Sequence, residues 1–408
     1  MSREAMDRLA VERIAACRPV LMMQPVVARD ALGLAEGELG HAGPPFEPGQ
    51  VPPPVVLGAL VGAVLHEGWA ASPEQATRQV LDGEIRLRAN HSMGVVSPMA
   101  GVVRPSQPLF RVLDAASGTC SYATLAEKGQ RVLRFGAHGP DVFRGLRHVE
   151  TVVAAALAGA LPPGGLPLLP LIARGVELGD DLHQRNVAGM LAFLAALGPL
   201  PIEIRDWLAT HPQFFLNFAM ASAKLCLDAA VGVDGSGIVT AISRNGIDCG
   251  IQVAGLPGRW FKAEATVPAG GYFAGRSIAD AHADLGDSAI MEAFGLGGCI
   301  AHASPEIARS MGRDWREACS EGVAMRSLFA ERRDDMHPAL AGGDGVGLGL
   351  DCARVAISGK GVRIHTGIAH QDGHSGWIGI GVAEAPAGCF VQAQAALDAA
   401  ASGIGERA

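Results

Sequence analysis

The stretch Ser236–Gly255, SGIVTAISRNGIDCGIQVAG, alternates β-favouring residues on both sides of an Asn-Gly pair. Two such runs joined by a short polar turn read as a β-hairpin, with Asn245 and Gly246 supplying the positive φ of the turn. Before this hairpin, from about Arg147 to Ala230, apolar residues recur at helical spacing and only Pro/Gly turns interrupt them. After it, Gly-rich strands and loops mix with helices near Ser288–Phe294 and Pro305–Phe329. The change of period predicts an α+β chain of three parts: a mixed α/β N-terminal domain, residues 1–146, a helical subdomain, 147–231, and an α+β C-terminal domain, 232–408.

Earlier segments fit this order. RPVLMMQPVV (Arg18–Val27) reads as a buried strand. VVLGALVGAVLHEGWA (Val55–Ala70) and SPEQATRQVLDGE (Ser72–Glu84) read as two helices, with Ser72 capping the second ahead of Pro73 and Glu74. The uncharged run Thr151–Ala173 is broken by LPPGGLPLLP into pieces shorter than the roughly 20 residues of a membrane span, so a helix, a turn and a second short helix are expected. The terminal ALDAAASGIGERA reads as a last helix.

Composition narrows the function classes. Charged residues make up 18% of the chain, below the roughly 25% usual for soluble domains, and its 54 glycines lie well above the usual share of about 7%. The net charge of -8 is spread out, with no basic run, which argues against nucleic-acid binding. Eight scattered cysteines form no CxxC pair and read as reduced thiols of a cytoplasmic protein. The N-terminal MSREAMDRLAVERIAACRPVLMM carries acids among its bases and lacks a signal-peptide cleavage pattern. Among familiar motifs, GGDGVGLGLD puts leucine where a GxGxxG fingerprint needs its last glycine, SGKGV lacks the rest of a P-loop, and GHSG is not GxSxG.

Polarity concentrates in a few places. In GDDLHQRNVAGM (Gly179–Met190), a helix starting near Asp180 would set Asp180, His183 and Asn186 on one face and pair Asp181 with Arg185. Such a helix start reads either as an acidic first turn on a solvated face or as polar groups that need a ligand, because the residues that follow are almost wholly apolar. FFLNFAMASAKLCLDAA places Asn217, Lys224 and Asp228 on one narrow face, where a satisfied Lys224–Asp228 pair and a site role both fit. Arg244, Asn245 and Asp248 crowd the hairpin turn. In DAHADLGDSAIMEAFGLGG, Asp287 reads as a helix N-cap, with Asp280, Asp284 and Glu292 in excess of structural need. His365, His370 and His374 fall within ten residues, a spacing that suggests zinc although the intervening Gly and Ser read as loop. A Mg²⁺ or Zn²⁺ role therefore stays open, with no ligand set assigned.

Taken together, HAGPP (His41–Pro45), SPMAGVVRPSQP, LRFGA (Leu133–Ala137), GDDLHQRN, FFLNFAMASAK, SRNGIDCGIQVAG, GYFAGRSIADAHADLGDSAIMEAFGLGG and HTGIAHQDG resemble the YlbE/AllG-like family, in consistent order from about Pro19 to Phe390. The resemblance implies two unusual mixed domains with a helical subdomain. It also implies kinship with a component of oxamate carbamoyltransferase, which works beside an FdrA-like subunit and a third subunit in purine (allantoin) catabolism. That reaction is the phosphorolysis of oxalurate to oxamate and carbamoyl phosphate. The chain departs from the family pattern at Gln184 and Ala126–Lys128, which leaves its substrate open among ureido and amide compounds, and at His374, which weakens the zinc reading.

Carbamoyl transfer needs positioning, cations for phosphate and carboxylate, and donors at the carbonyl oxygen. Arg185 and Arg244 are the expected anion binders, because a guanidinium grips either group with two bonds. His183, oriented by Asp180 or Asp181, is the expected group to polarise the carbonyl or move a proton. Asn186, Asn217 and Asn245, with Lys224, Ser288 and His370, are assigned to substrate binding, and Asp284, Asp287 and Glu292 to accepting from ureido or amide N–H groups. Two alternatives stand beside this reading: a stand-alone amidohydrolase of a ureido or cyclic amide compound, and a noncatalytic scaffold for an FdrA-like partner, in a homo- or hetero-oligomer.

Overall fold

The hairpin forms where the sequence places it. In the computed structural model, which describes residues 2–339 and 345–405, strands Val239–Asn245 and Asp248–Val253 pair antiparallel, with Arg244 opposite Cys249. The turn differs in one detail. Only Gly246 has positive φ, +85°, while Asn245 stays in the strand and uses its side-chain oxygen to accept from the N–H groups of Ile247 and Asp248. Its amide nitrogen donates to the Pro44 carbonyl, so Asn245 builds the turn and ties it to the HAGPP segment.

The fold is α+β, with several small sheets around one large hydrophobic core, and a second, separate core gathers on the helix Pro54–His66. A five-stranded sheet has the order Val95–Val96, Cys120–Ala123, Pro108–Asp114, Pro19–Val27, Leu166–Pro167. A four-stranded sheet holds Phe261–Glu264, the hairpin strands and Leu285–Gly286, and a three-stranded sheet holds Ala269–Tyr272, Trp377–Ala385 and Val362–Ala369. The helix Leu216–Asp228 runs between the first two sheets, in contact with strands of both, and is buried from Leu216 through Leu227. Phe218 packs edge-on against Phe110 of the first sheet and against Phe193 of the neighbouring helix. Burying a side chain of this size stabilises by about 1.5–3 kcal/mol. One hydrophobic cluster connects Leu21, Phe110, Phe218, Ile242 and Phe390, so residues from the beginning, middle and end of the chain share a core.

Several expected elements appear, including the strand Pro19–Val27, the helix Pro54–His66, and the helix Pro73–Leu81 with the Ser72 side chain accepting from Gln75 N–H. Thr151–Ala173 resolves into a helix ending at Ala160, a turn, and a helix Leu169–Glu177. Among the described residues no helix is long and apolar enough to cross a membrane. The expected helix Pro305–Phe329 is two, Pro305–Ser310 and Trp315–Arg326, separated at Gly312, whose φ is +71°. The final helix, Ala387–Gly405, is described up to its last residue, and Glu406–Ala408 lie outside the described residues, as do Gly342–Asp344 of the GGDGVGLGLD run.

Three buried histidines make stability depend on pH. Burial holds His41 down to about 4, against a bond to the Ala42 carbonyl that raises it. Burial, with Lys224 and Arg244 nearby, holds His91 well below its ordinary 6.5. Burial, with Arg134 and Lys128 nearby, holds His211 down to about 3. All three are neutral in the fold, whereas the unfolded chain takes up their protons near 6.5, so the stability they contribute is complete above that pH and is lost as pH falls from there toward the folded values. Asp180, pushed up to about 6 mainly by burial, acts in the opposite sense between its ordinary 3.8 and 6. The denaturant midpoint is expected to fall between pH 7 and pH 5. His91→Phe is expected to flatten that slope, and an unchanged slope in chemical denaturation would refute the assignment.

Candidate functional site

The polar stretch Asp180–Asn186 is a loop rather than the first turns of a helix. The helix Leu169–Glu177 ends before Gly179, which takes φ of +91°, and the next helix, Val187–Ala196, begins only after Asn186. The two acids explain the break, because each captures backbone N–H groups that a helix would need. Asp181 Oδ1 accepts from the N–H groups of His183, Gln184 and Arg185 at 3.1, 2.9 and 2.7 Å. Asp180 Oδ2 accepts from Gly189 N–H at 2.7 Å, and its Oδ1 pairs with Arg185, so the loop's ion pair is Asp180–Arg185 and not the expected Asp181–Arg185.

Two carboxylates and two histidines lock this loop to the C-terminal part of the chain. Glu292, on the short helix Ile290–Ala293, accepts from His183 Nδ1 at 2.8 and 2.9 Å and from the backbone N–H of His365 at 3.1 Å. Asp181 does the converse, binding His365 Nδ1 at 2.6 Å and the backbone N–H of His183. Each carboxylate thus holds one histidine by its ring and the other by its backbone. All four residues are buried. Burial opposes ionisation of Asp181, but the bond and charge of His365, with the Arg185 N–H, outweigh it and hold the carboxyl below its usual range. With Nδ1–H donated to Glu292, His183 keeps Nε2 for other work.

The glycines after Glu292 are part of the same lock. Gly297 donates to the Asp181 carbonyl at 2.8 Å, and Gly298 to Glu292 Oε1 at 2.9 Å. A Cβ on Gly297, whose φ is +58°, would run into Glu292 Oε1.

His183 lines a cavity of 330 Å³ together with Gln184, Gln213, Ser288, His211, Thr210, Lys128, Arg134, Met99, Phe135 and Trp377 among others. Its cationic side chains are Arg134 and Lys128, and no Asp or Glu among the described residues lines it. Arg134 donates from Nη1 to the Glu127 carbonyl at 2.7 Å, with Glu127 Oε2 at 3.7 Å, and its remaining N–H groups have no hydrogen bond to the described residues. Burial lowers its pKa against the charge of Glu127, as expected of a guanidinium held in a poorly solvated wall. Lys128 Nζ bonds Thr210 at the rim. The two non-glycine residues described with positive φ, Met99 at 56° and Leu182 at 57°, sit in the cavity wall and next to His183. Strained backbone of this kind clusters at functional sites.

The structure gathers some of the expected site residues and sets others to structural tasks. His183 and Ser288 reach the cavity, and Asp181 and Glu292 stand behind it. Asn186 precedes the helix Val187–Ala196, donating to the His183 carbonyl and to Gln213, and its Oδ1 is buried without a partner. Arg185, with 26% of its side chain exposed, is committed to Asp180. Arg244 is fully buried, and Asp284, Thr366 and the Gly286 carbonyl take its donors, so it does not present a free fork to an anion. Asp284 also accepts from Leu285 N–H and Thr366, which leaves it a structural anchor. Asp287 does not cap its own helix; it accepts from Gly43 N–H, Ser243, Asn90 and Ser97 N–H, and burial raises its pKa. Asn217 donates to the Phe214 carbonyl in the turn that precedes its helix, and Lys224 pairs with Asp228 at 2.5 Å. His370 lies between Asp372 and Asp280, away from the cavity lining, and His374 faces Asp372 as well. With His365 bound to Asp181 and the other two at Asp372, the three histidines do not converge on one point, and no metal-holding group of three or more His, Cys, Asp or Glu occurs among the described residues.

Arg134, Lys128, His211, Gln213, Met99 and Trp377 were not expected at the site. Arg134 lies in LRFGA and Met99 in SPMAG, both polar or kinked interruptions of apolar sequence, and that is the signal they carried. Gly297→Ala is expected to destabilise the fold by about 1–3 kcal/mol, through the positive φ and the displaced Glu292. A thermal melt matching the parent protein would show that the lock does not depend on that close approach.

A profile for the oxamate carbamoyltransferase subunit AllG matches residues 85–288. The oxamate carbamoyltransferase subunit AllG of Escherichia coli K12 is 38% identical over 97% of both chains. The uncharacterized protein YahG of the same organism is 32% identical, over 95% of this chain and 84% of its own. The crystal structure of a conserved protein of unknown function from Enterococcus faecalis V583 superposes with a TM-score of 0.92 at 31% identity, covering 97% of this chain and 98% of that one. Matched along nearly its whole length, this chain belongs to the AllG family of oxamate carbamoyltransferase subunits.

Proposed function

We propose that this chain is a catalytic subunit of a carbamoyltransferase that interconverts a ureido acid and phosphate with carbamoyl phosphate and an amide acid, with oxalurate and oxamate as the reference pair. The observation that carries this reading is the cavity in which a Glu292-held imidazole meets Arg134 and Lys128 and, among the described residues, no carboxylate. In the phosphorolysis direction, a phosphate oxygen attacks the ureido carbonyl carbon, the C–N bond breaks, and the amide nitrogen leaves with a proton from His183 Nε2. In reverse, Nε2 takes that proton as the amide nitrogen attacks carbamoyl phosphate and the C–O bond to phosphate breaks. Arg134 and Lys128 hold the carboxylate and phosphate, and the Ser288 hydroxyl is placed to donate to the carbonyl oxygen as charge develops.

The name of the Escherichia coli relative as a subunit supports assembly with partners, and we assign an FdrA-like subunit and a third subunit to that role, in a cytoplasmic complex of purine-nitrogen catabolism. Phosphate dependence separates transfer from hydrolysis, and turnover abolished by a chelator would add a Mg²⁺ or Zn²⁺ to the site. In the reconstituted complex, His183→Ala is expected to lower kcat by about 10²–10⁴-fold, the usual contribution of a positioned acid–base group. Arg134→Gln is expected to raise KM for the anionic reactants by at least about tenfold. Folded variants with the parent's turnover in both cases would leave the chain a scaffold.

A further inference from the structure

The cavity has a second character that a wholly polar reaction does not use. Met99, Phe135 and Trp377 form one continuous wall, with Phe135 and Trp377 stacked at 6.2 Å and 20°. A Cβ on Gly367 would stand 3.4 Å from Trp377 Nε1 and 3.5 Å from Met99 Sδ, so the missing side chain there leaves space along the wall. Pro98, Pro212 and Leu216 add further apolar lining. The Arg134 guanidinium lies 5.6 Å from the Phe135 ring centre, which puts an anion-binding group beside the wall. Oxamate, a small acid polar at both ends, would leave this surface facing polar atoms or water.

We propose that the acid bound by this chain carries a flat apolar substituent, packed on Met99, Phe135 and Trp377 while its anionic end is held by Arg134 and Lys128. The natural substrate is thus an N-substituted or otherwise extended ureido or amide acid rather than the smallest member of the class. This inference rests on the carbamoyltransferase reading for the anionic end and adds the apolar end. A planar group on an aromatic wall gains directly from offset stacking and from leaving water.

The test is calorimetric titration of the reconstituted complex with oxamate and with N-phenyloxamate, alongside Trp377→Ala, Trp377→Phe and Arg134→Gln variants whose melting matches the parent. N-phenyloxamate is expected to bind about tenfold tighter than oxamate, the equivalent of about 1.4 kcal/mol. Trp377→Ala is expected to bring the ratio of the two affinities to about one, Trp377→Phe to keep most of it, and Arg134→Gln to weaken both ligands alike. Should Trp377→Ala fail to fold, the ratio in the parent and in Trp377→Phe decides. Equal or weaker binding of N-phenyloxamate, with oxamate bound and carbamoylated, overturns the apolar end and leaves the transferase reading standing. Binding of neither acid overturns both.

Discussion

Everything at the site depends on the exchange of bonds between Asp181, His183, Glu292 and His365. Each carboxylate fixes the ring of one histidine and the backbone of the other. Neither imidazole can rotate without breaking a charge-assisted bond, and none of the three chain segments can shift without straining a bond to another. The low dielectric around the four residues strengthens those bonds and makes any unpaired member costly. The arrangement is therefore held together or lost as a unit. His183 presents Nε2 to the cavity in a fixed direction because three other residues leave it no alternative.

The elements legible in the sequence were those whose signal is local. The hairpin at Ser236–Gly255, the Ser72-capped helix and the strand at Pro19 each announce themselves by period or by a capping residue, and they stand where expected. Asp180–Asn186 was misread as helix because helical spacing in a row of polar residues says nothing about where the backbone N–H groups go. Here two adjacent aspartates take them. The roles of Arg244 and Asp287 were equally hidden, since a buried arginine and a free one look the same in sequence. Only the three-dimensional neighbours of Arg244, above all Asp284, show that its donors are occupied.

The candidate site was half visible for the same reason. His183, Ser288, Asp181 and Glu292 lie in conspicuously polar runs, and the fold brings these four to or behind one cavity. Arg134 lies in a short apolar-flanked turn whose placement depends on the long-range packing of Phe135 beside Trp377. No spacing rule connects residues 134 and 377. Family resemblance carried the fold and the reaction class further than any motif did, and the residue assignments had to come from geometry.

The sequence distances inside the lock bear on how the protein is made. His183 and Glu292 are 109 residues apart, and Asp181 and His365 are 184 apart. On a ribosome, the helical middle of the chain emerges with its loop held only by the local bonds of Asp180 and Asp181, and the ring of His365 reaches Asp181 only after the strand Val362–Ala369 has been synthesised and docked. Loop closure over such lengths comes late in folding. The lock is therefore complete only in a chain that has been made and folded at least as far as the strand carrying His365.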